Sequence, residues 1–234
     1  HYIEEYTVEG GRPDSLDLEK LHLLRKYGVT RISINPQTMN ADTLKRIGRS
    51  HTPDDIINCF ESARSLGFDS INMDVIIGLP GETLEHVDKT MTNIYNLSPD
   101  NLTVHTLAIK KGSLLKEHID KYEFADNNTA EEMLDKCKLW SKNMGMIPYY
   151  LYRQKYMLGN LENIGYSKPG KECIYNIQMM EERQTIWAFG AGGISKVFYE
   201  EENRLERVPN VKSHVEYMER IDEMIERKMK LIEK

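Results

Sequence analysis

Along the first 110 residues the apolar and polar positions follow two periods in turn. Four segments, "EEYTVEG" (4–10), "TRISINPQ" (30–37), "SINMDVIIGLP" (70–80) and "NLTVHTLAI" (101–109), carry the strand-like patterning of short apolar runs bounded by turn residues. The first three each lead into a run of helical spacing before the next begins. The best-marked helix has Thr52 as N-cap, Pro53 as first residue, acidic residues in its first turn and Gly67 at its end. Its neighbours end at Gly28 and against Pro99. Strand and helix alternating about every 30 residues predict right-handed crossovers and a parallel sheet, open or curled into a full or partial barrel.

The period of two divides each strand into faces. Ile32 and Ile34 oppose Ser33, Asn35 and Gln37; Ile71, Met73, Val75 and Ile77 oppose Asn72 and Asp74; Tyr6 and Val8 oppose Glu5, Thr7 and Glu9. A parallel strand is covered on both faces, so inward polar residues are costly unless something hydrogen-bonds to them. Three successive strands with a polar face predict either a side-chain hydrogen-bond network or a polar ligand, and functional groups in such sheets gather at the carboxyl ends of the strands.

Past residue 110 the repeat stops. A helix is expected over 127–145, a strand over 148–155, a Gly-rich loop leading into a turn of helix over 158–176, a strand crossing a small-residue turn over 184–198 and a return strand over 203–208. In the last helical run Val215, Met218, Ile221, Ile225, Met229 and Ile232 form an apolar stripe expected to face a core. The later βα units are therefore assigned to residues 1–115 and a C-terminal α+β appendage to 116–234, with the change falling between 111 and 126.

Composition narrows the class. With 234 residues, 40% of them hydrophobic, the chain can bury a substantial core. No apolar run approaches the roughly 20 residues of a spanning helix and no basic-then-apolar leader opens the chain, so a cytoplasmic protein without a membrane partner is expected. A net charge of −6 without a basic face argues against nucleic acid. Cys59, Cys137 and Cys173 are too scattered for a metal or cluster motif and too few for a disulfide framework. The chain opens inside a strand-like run without Met, which suggests a piece of a longer protein.

Candidate chemistry centres on Asp74, a carboxylate inside the apolar run that ends in Gly78-Leu79-Pro80-Gly81. That turn lacks the Lys-Ser/Thr of a phosphate loop and reads as a strand-to-helix connection. Glycines 190, 192 and 193 could let amides approach an anion, though a close-packed turn fits them equally. Glu9 suits an ammonium, Arg49 a carboxylate, and Asp74 or Gln37 hydroxyls, the requirements of a zwitterionic ligand. His105 could serve as acid or base or sit satisfied in the core. No Ser-His-Asp or zinc-ligand spacing stands out.

The strings "EYTVEGGRPD", "RISINPQTMNADTLKRIGRSHTPDDI", "GFDSINMDVIIGLPGET" and "SPDNLTVHTLAIKKGS" resemble, in order and spacing, the central part of the oxygen-independent coproporphyrinogen III oxidases, radical S-adenosylmethionine enzymes of heme biosynthesis. The segment from "YYLYRQKYMLGN" to "AGGISKV" resembles the clostridial-type coproporphyrinogen dehydrogenase branch. The resemblance covers nearly the whole chain and implies a partial (β/α) barrel of the radical S-adenosylmethionine type. By motif match Glu9 would meet the methionine amino group, Arg49 its carboxylate, Gln37 and Asp74 the ribose region, and Ala108 would lie near the adenine.

The same resemblance implies an oxidoreductase. With a reduced [4Fe-4S] cluster and S-adenosylmethionine, a 5′-deoxyadenosyl radical would remove hydrogen from a propionate, and loss of carbon dioxide and one electron would leave a vinyl group. Its partners would be a tetrapyrrole substrate and an electron donor. The family's C-x-x-x-C-x-x-C motif is absent from these residues and is expected upstream, so this piece alone is expected to be inactive. Arg153, Lys168, Lys171, Arg183 and Lys196 are candidates by location for the substrate carboxylates. The alternatives are another radical enzyme, a non-radical barrel enzyme, or a heme chaperone of the same superfamily. Chaperone relatives carry Cys-x-His-Asn ending in Tyr-Trp, where this chain has Tyr175 for the histidine and Met180 near the tryptophan.

Overall fold

The computed structural model describes residues 3–108, 122–153 and 157–232, and in it the expected βα order appears. Strands β1 (Thr7–Gly11), β2 (Arg31–Ile34), β3 (Ser70–Ile77) and β4 (Asn101–Thr106) pair in parallel, each with the next. Helices α1 (Leu18–Lys26), α2 (Ala41–Arg46), α3 (Pro53–Ser65) and α4 (Leu84–Leu97) lie between them in sequence. Helix α3 starts as expected: the Thr52 hydroxyl accepts from the Asp55 amide and the Asp55 carboxylate accepts from the Thr52 amide, a reciprocal cap that stabilises by about 1 kcal/mol. It stops at Gly67, whose φ of +73° would strain any residue with a Cβ. Helix α4 ends on Ser98 in the left-handed region, where Pro99 forbids another turn.

The expected apolar faces form the core. Ile32, Ile34, Ile71, Met73, Val75, Ile77, Leu102 and Val104 are buried against Leu21, Ile56, Phe60, Val87, Met91 and Ile94. Each such side chain contributes about 1.5–3 kcal/mol on burial. Helix α5 (Asn127–Asn143) adds Met133 and Cys137 to the same cluster and packs beside α4. Trp140 Nε1 donates to Asp88 at 2.9 Å and its ring meets Tyr95 edge-on.

Two further strands widen the sheet. β5 (Ile147–Tyr152) overlaps the stretch expected as a strand, 148–155, but β6 (Asn163–Ser167) lies in the stretch expected as a Gly-rich loop. β6 pairs antiparallel with β4 and β5 antiparallel with β6, giving the order β1-β2-β3-β4-β6-β5. Helix α6 (Ile174–Glu181) follows. The expected boundary at 115/116 lies outside the described residues; by its contacts the chain divides into His1–Cys173 and Ile174–Lys234.

In the second unit β7 (Ile194–Tyr199) and β8 (Arg204–Pro209) form an antiparallel hairpin, followed by α7 (His214–Glu219) and α8 (Ile221–Ile232). The expected strand over 184–198 is shorter: before β7 only Ile186 pairs, in an isolated bridge to Lys196. The final apolar stripe is also corrected. Its six residues are 38–75% exposed, whereas Met224 and Lys228 are buried. Lys228 faces inward in their place, its Nζ donating to Asn210 Oδ1 at 2.7 Å and to the Met224 carbonyl at 3.3 Å.

Candidate functional site

Alternation along the strands, combined with their register, assembles the polar face of the first sheet. Glu9 lies opposite Ser33, Ser33 opposite Asn72, and Asn72 opposite Asn101; one row on, Asp74 lies opposite Thr103. The side chains are linked as the register requires. Asn72 Nδ2 donates to Ser33 Oγ at 3.1 Å and to Asp74 Oδ1 at 2.8 Å, and Ser33 Oγ donates to Asn35 Oδ1 at 2.5 Å. Asp74 Oδ2 turns towards His105 Nε2 at 3.5 Å. The polar face is thus a hydrogen-bonded network around Asp74, with the Glu9 carboxylate in register beside Ser33.

Those carboxylates set the electrostatics. Glu9 keeps an exposed edge, but the protein atoms packed round its carboxyl push its pKa up, and repulsion from Asp74 adds to this. A hydrogen bond with Ser33 and the charges of Arg31 and His105 oppose the shift without cancelling it. A carboxylate whose pKa is raised by a neighbouring carboxylate is stabilised in its charged form by a nearby cation. Arg31 belongs to the same face, as the period of two from Ser33 would have indicated, and it is buried with Nη1 donating to Ser70 Oγ and to the Lys171 carbonyl. Asn101 Nδ2 reaches the same two acceptors, leaving its buried Oδ1 without a hydrogen-bond partner.

The other expected site residues stand differently. Gln37 resumes β2–β3 pairing after Pro36 interrupts it: its amide donates to the Asp74 carbonyl at 3.0 Å and its carbonyl accepts from Ile76 at 2.9 Å. Its φ is +65°, so strand alternation does not set its side-chain direction, and such a backbone costs about 1–2 kcal/mol for a residue with a Cβ. Ala108, half-buried at the carboxyl end of β4, bridges to Met157. Arg49 is half-buried beyond the end of β1, where burial and then the nearby Arg12 lower its pKa, against the pull of Asp14. Thus Glu9 and Asp74 share a network, Gln37 touches it through the backbone, and Arg49 and Ala108 lie at the carboxyl-end rim.

Two supporting groups escaped the sequence reading. Glu82, in the turn after β3, is buried and accepts from Thr38 Oγ1 at 2.6 Å and Asn40 Nδ2 at 3.0 Å. Thr90 joins the same network through Thr38, Asn40 and the Met39 amide. The cluster ties the Gln37 loop to the Gly-Leu-Pro-Gly turn, so that turn is more than a helix start. His51 is buried beneath the Arg49 loop, and neither ring nitrogen completes a hydrogen bond. Burial pushes its pKa down, while Asp14 at 3.8 Å and the Pro36 carbonyl oppose that.

The basic candidates for substrate carboxylates are largely engaged elsewhere. Lys168 Nζ donates to Ser98 and Lys171 Nζ to the Asp69 carbonyl, both at the amino ends of strands. Arg153 pairs with Glu162 and Lys196 with Glu182; Arg183 is exposed. In the turn at 190–193 the Gly190 amide donates to Tyr217, Gly192 to the Val211 carbonyl and Gly193 to the Gly190 carbonyl, as in a close-packed turn. The three cysteines are free and buried, and burial raises Cys59 to about 11 and Cys137 to about 12. Among the described residues no cluster of His, Cys, Asp or Glu suits a metal ion, and no helix is long and apolar enough to cross a membrane.

Residues 5–94 match the radical SAM superfamily. The chain is 45% identical over 231 residues to the oxygen-independent coproporphyrinogen-III oxidase-like protein HemZ of Bacillus subtilis, covering 99% of this chain and 46% of that protein. It is 30% identical over 190 residues to the heme chaperone HemW of the same organism, covering 81% of this chain and 47% of that one. The chain thus spans about half the length of the curated relatives it matches. In fold it is similar to Escherichia coli coproporphyrinogen III oxidase (HemN), a radical SAM enzyme, with a TM-score of 0.67 at 20% identity over 94% of this chain and 49% of that one.

Proposed function

Residues 5–94 belong to the radical SAM superfamily, and on that premise we propose that the intact protein is a radical S-adenosylmethionine oxidoreductase that decarboxylates coproporphyrinogen III oxidatively to protoporphyrinogen IX. The observation that carries the ligand half of this reading is the placement of Glu9 and Asp74 on one polar face of the sheet, where packing and repulsion from Asp74 raise the Glu9 pKa. S-adenosylmethionine bears an ammonium and a sulfonium, and two carboxylates that repel each other are stabilised when a cation comes between them. When bound it supplies the radical that takes hydrogen from the substrate. The chain's own residues then have holding roles: Glu9 for the amino group, Asp74 with Asn72 and His105 behind it for the ribose hydroxyls, Arg49 at the rim for the carboxylate and Gln37 beside Asp74.

The iron–sulfur cluster of this superfamily does not fit the cysteines of this chain, which are buried and apart. We assign its ligands to the longer protein. The substrate half of the reading is supported by the 45% identity to a coproporphyrinogen-III oxidase-like protein. The 30% identity to a heme chaperone supports a second reading, heme carriage, against which stand Tyr175 and Met180 in the segment where chaperones of the superfamily carry histidine and tryptophan.

One experiment separates the two. Full-length protein, reconstituted anaerobically with iron, sulfide and a reductant, is given coproporphyrinogen III, S-adenosylmethionine and a one-electron acceptor, and a parallel sample is given heme. Protoporphyrinogen IX formed in step with 5′-deoxyadenosine is expected; tight heme binding with no decarboxylation would replace the oxidase by the chaperone.

A further inference from the structure

The polar face of the sheet does not end at Asp74 and Thr103. On β5 the period of two places Tyr150 and Tyr152 on one face, and the register carries that face across: Thr103 lies opposite Gly165, and Gly165 opposite Tyr150. Tyr150 lies over Gly165, for a Cβ built on that glycine would stand 1.8 Å from the ring's Cε1. A glycine inside a strand costs about 0.5–1 kcal/mol and commonly marks a place where another group must approach the backbone. Here the approaching group is the Tyr150 ring, and its hydroxyl reaches the Thr103 hydroxyl at 3.1 Å. Burial raises the Tyr150 pKa, and Asp74 is among the charges that add to the shift, so the phenol stands within electrostatic reach of the cleft carboxylate.

Tyr152 extends the surface. Its ring is parallel to that of Tyr150 within 10°, with centroids 6.3 Å apart. Two residues of strand advance about 6.7 Å, so the separation is the one set by their spacing along β5. Both rings are half-buried. They form an aromatic pair at the β5 edge, with Tyr149 edge-on to Tyr150, joined through Thr103 to the network that holds Asp74.

We infer that Tyr150 and Tyr152 are the seat for a flat aromatic ring of the substrate, beside the polar groups that would hold the nucleoside. The inference rests on the proposed oxidase reading for the identity of that ring, a pyrrole of the tetrapyrrole. Position argues for the substrate over the adenine. Glu9 and Asp74 lie on β1 and β3, while the Tyr150 ring lies over β6 and Tyr152 stands on β5, two and three strands beyond β3. A nucleoside spanning the carboxylates leaves this edge to a second ligand, and the rings offer that ligand what the carboxylates cannot, an apolar π surface.

The test measures binding by full-length protein of coproporphyrin III, followed by its absorbance, and of S-adenosylmethionine, followed by calorimetry, in wild type, Tyr152→Leu and Tyr150→Leu. Porphyrin affinity is expected to fall about tenfold in Tyr152→Leu, the size of one lost ring contact, with S-adenosylmethionine affinity within twofold of wild type. Tyr150→Leu should behave alike; if it does not fold, Tyr152→Leu alone decides. Unchanged porphyrin affinity, no porphyrin binding by wild type, or a loss confined to S-adenosylmethionine would overturn the assignment. Porphyrin binding that depends on the tyrosines, in a protein that turns over no coproporphyrinogen III, would instead leave this seat standing and remove the oxidase reading.

Discussion

Asp74 Oδ2 faces His105 Nε2 at 3.5 Å across neighbouring strands, while Asp74 Oδ1 accepts from Asn72 at 2.8 Å. The carboxylate is therefore oriented by its neighbours on both sides, and neither side is a lysine or arginine that would neutralise it. Replacing Asp74 by Asn keeps the shape and removes the charge. In full-length protein Asp74→Asn should weaken S-adenosylmethionine binding by about tenfold or more, the scale of a hydrogen bond to a charged group, with the thermal transition little changed. Calorimetry checks it; equal affinity would make Asp74 a purely structural residue.

Glu9 should show the opposite balance between binding and stability. Its pKa is raised above the usual 4.5 by packing and then by Asp74. A carboxyl whose folded-state pKa is raised binds its proton more tightly when folded, so its contribution to stability is present at acid pH and is lost as pH rises from 4.5 through the higher folded value. Glu9→Gln removes that loss. At neutral pH the variant should be slightly more stable than wild type, by about a few tenths of a kcal/mol because the side chain is partly exposed, and should bind S-adenosylmethionine less tightly. Denaturant melts at pH 4 and 7, together with calorimetry, test both halves; a less stable variant at pH 7 would contradict the assignment.

What was legible in the sequence followed from local periodicity. The four parallel strands, the cap at Thr52 and the division of Ile71, Met73 and Val75 from Asn72 and Asp74 all rest on spacing within one element. β6 was not legible because the alternation of Ile164 and Tyr166 in "NIGYS" is only five residues long and sits among glycines and turn residues: its pairing comes from β4 and β5, and its glycine is required by Tyr150, distant in sequence. The last helix had the right period and the wrong facing, since Lys228 is drawn in by Asn210, a partner 18 residues away. Gln37 shows a third limit, because alternation cannot be carried through Pro36 and a left-handed backbone.

His51 predicts a pH dependence of the Arg49 loop. Burial lowers its pKa from the usual 6.5, with Arg49 and Arg12 adding repulsion and Asp14 opposing. A base whose folded-state pKa is depressed takes up a proton on unfolding, so stability is full above 6.5 and falls as pH drops below it. Wild-type protein should melt at lower temperature at pH 5.5 than at pH 7.5, and His51→Phe should lose most of that difference. Thermal melts at the two pH values decide; an unchanged difference in His51→Phe would place the acid sensitivity elsewhere.

Glu82 supports the largest expected loss of stability. It is buried, and its Oε1 accepts from both Thr38 and Asn40, which also bond Thr90. Truncation to alanine would leave the Thr38 hydroxyl and the Asn40 amide competing for Thr90 and the His86 carbonyl, with a void beside Val87 and Cys137. Unmet buried donors cost about 1–3 kcal/mol each, so Glu82→Ala should lose about 2–4 kcal/mol in urea unfolding. Glu82→Gln, which can still accept from both partners, should recover most of it. Because the same bonds tie residues 38–40 to the turn before α4, S-adenosylmethionine affinity should fall in Glu82→Ala although Glu82 touches no proposed ligand group. A Glu82→Ala protein with wild-type stability and affinity would show that the loop carrying Gln37 is held by backbone pairing alone.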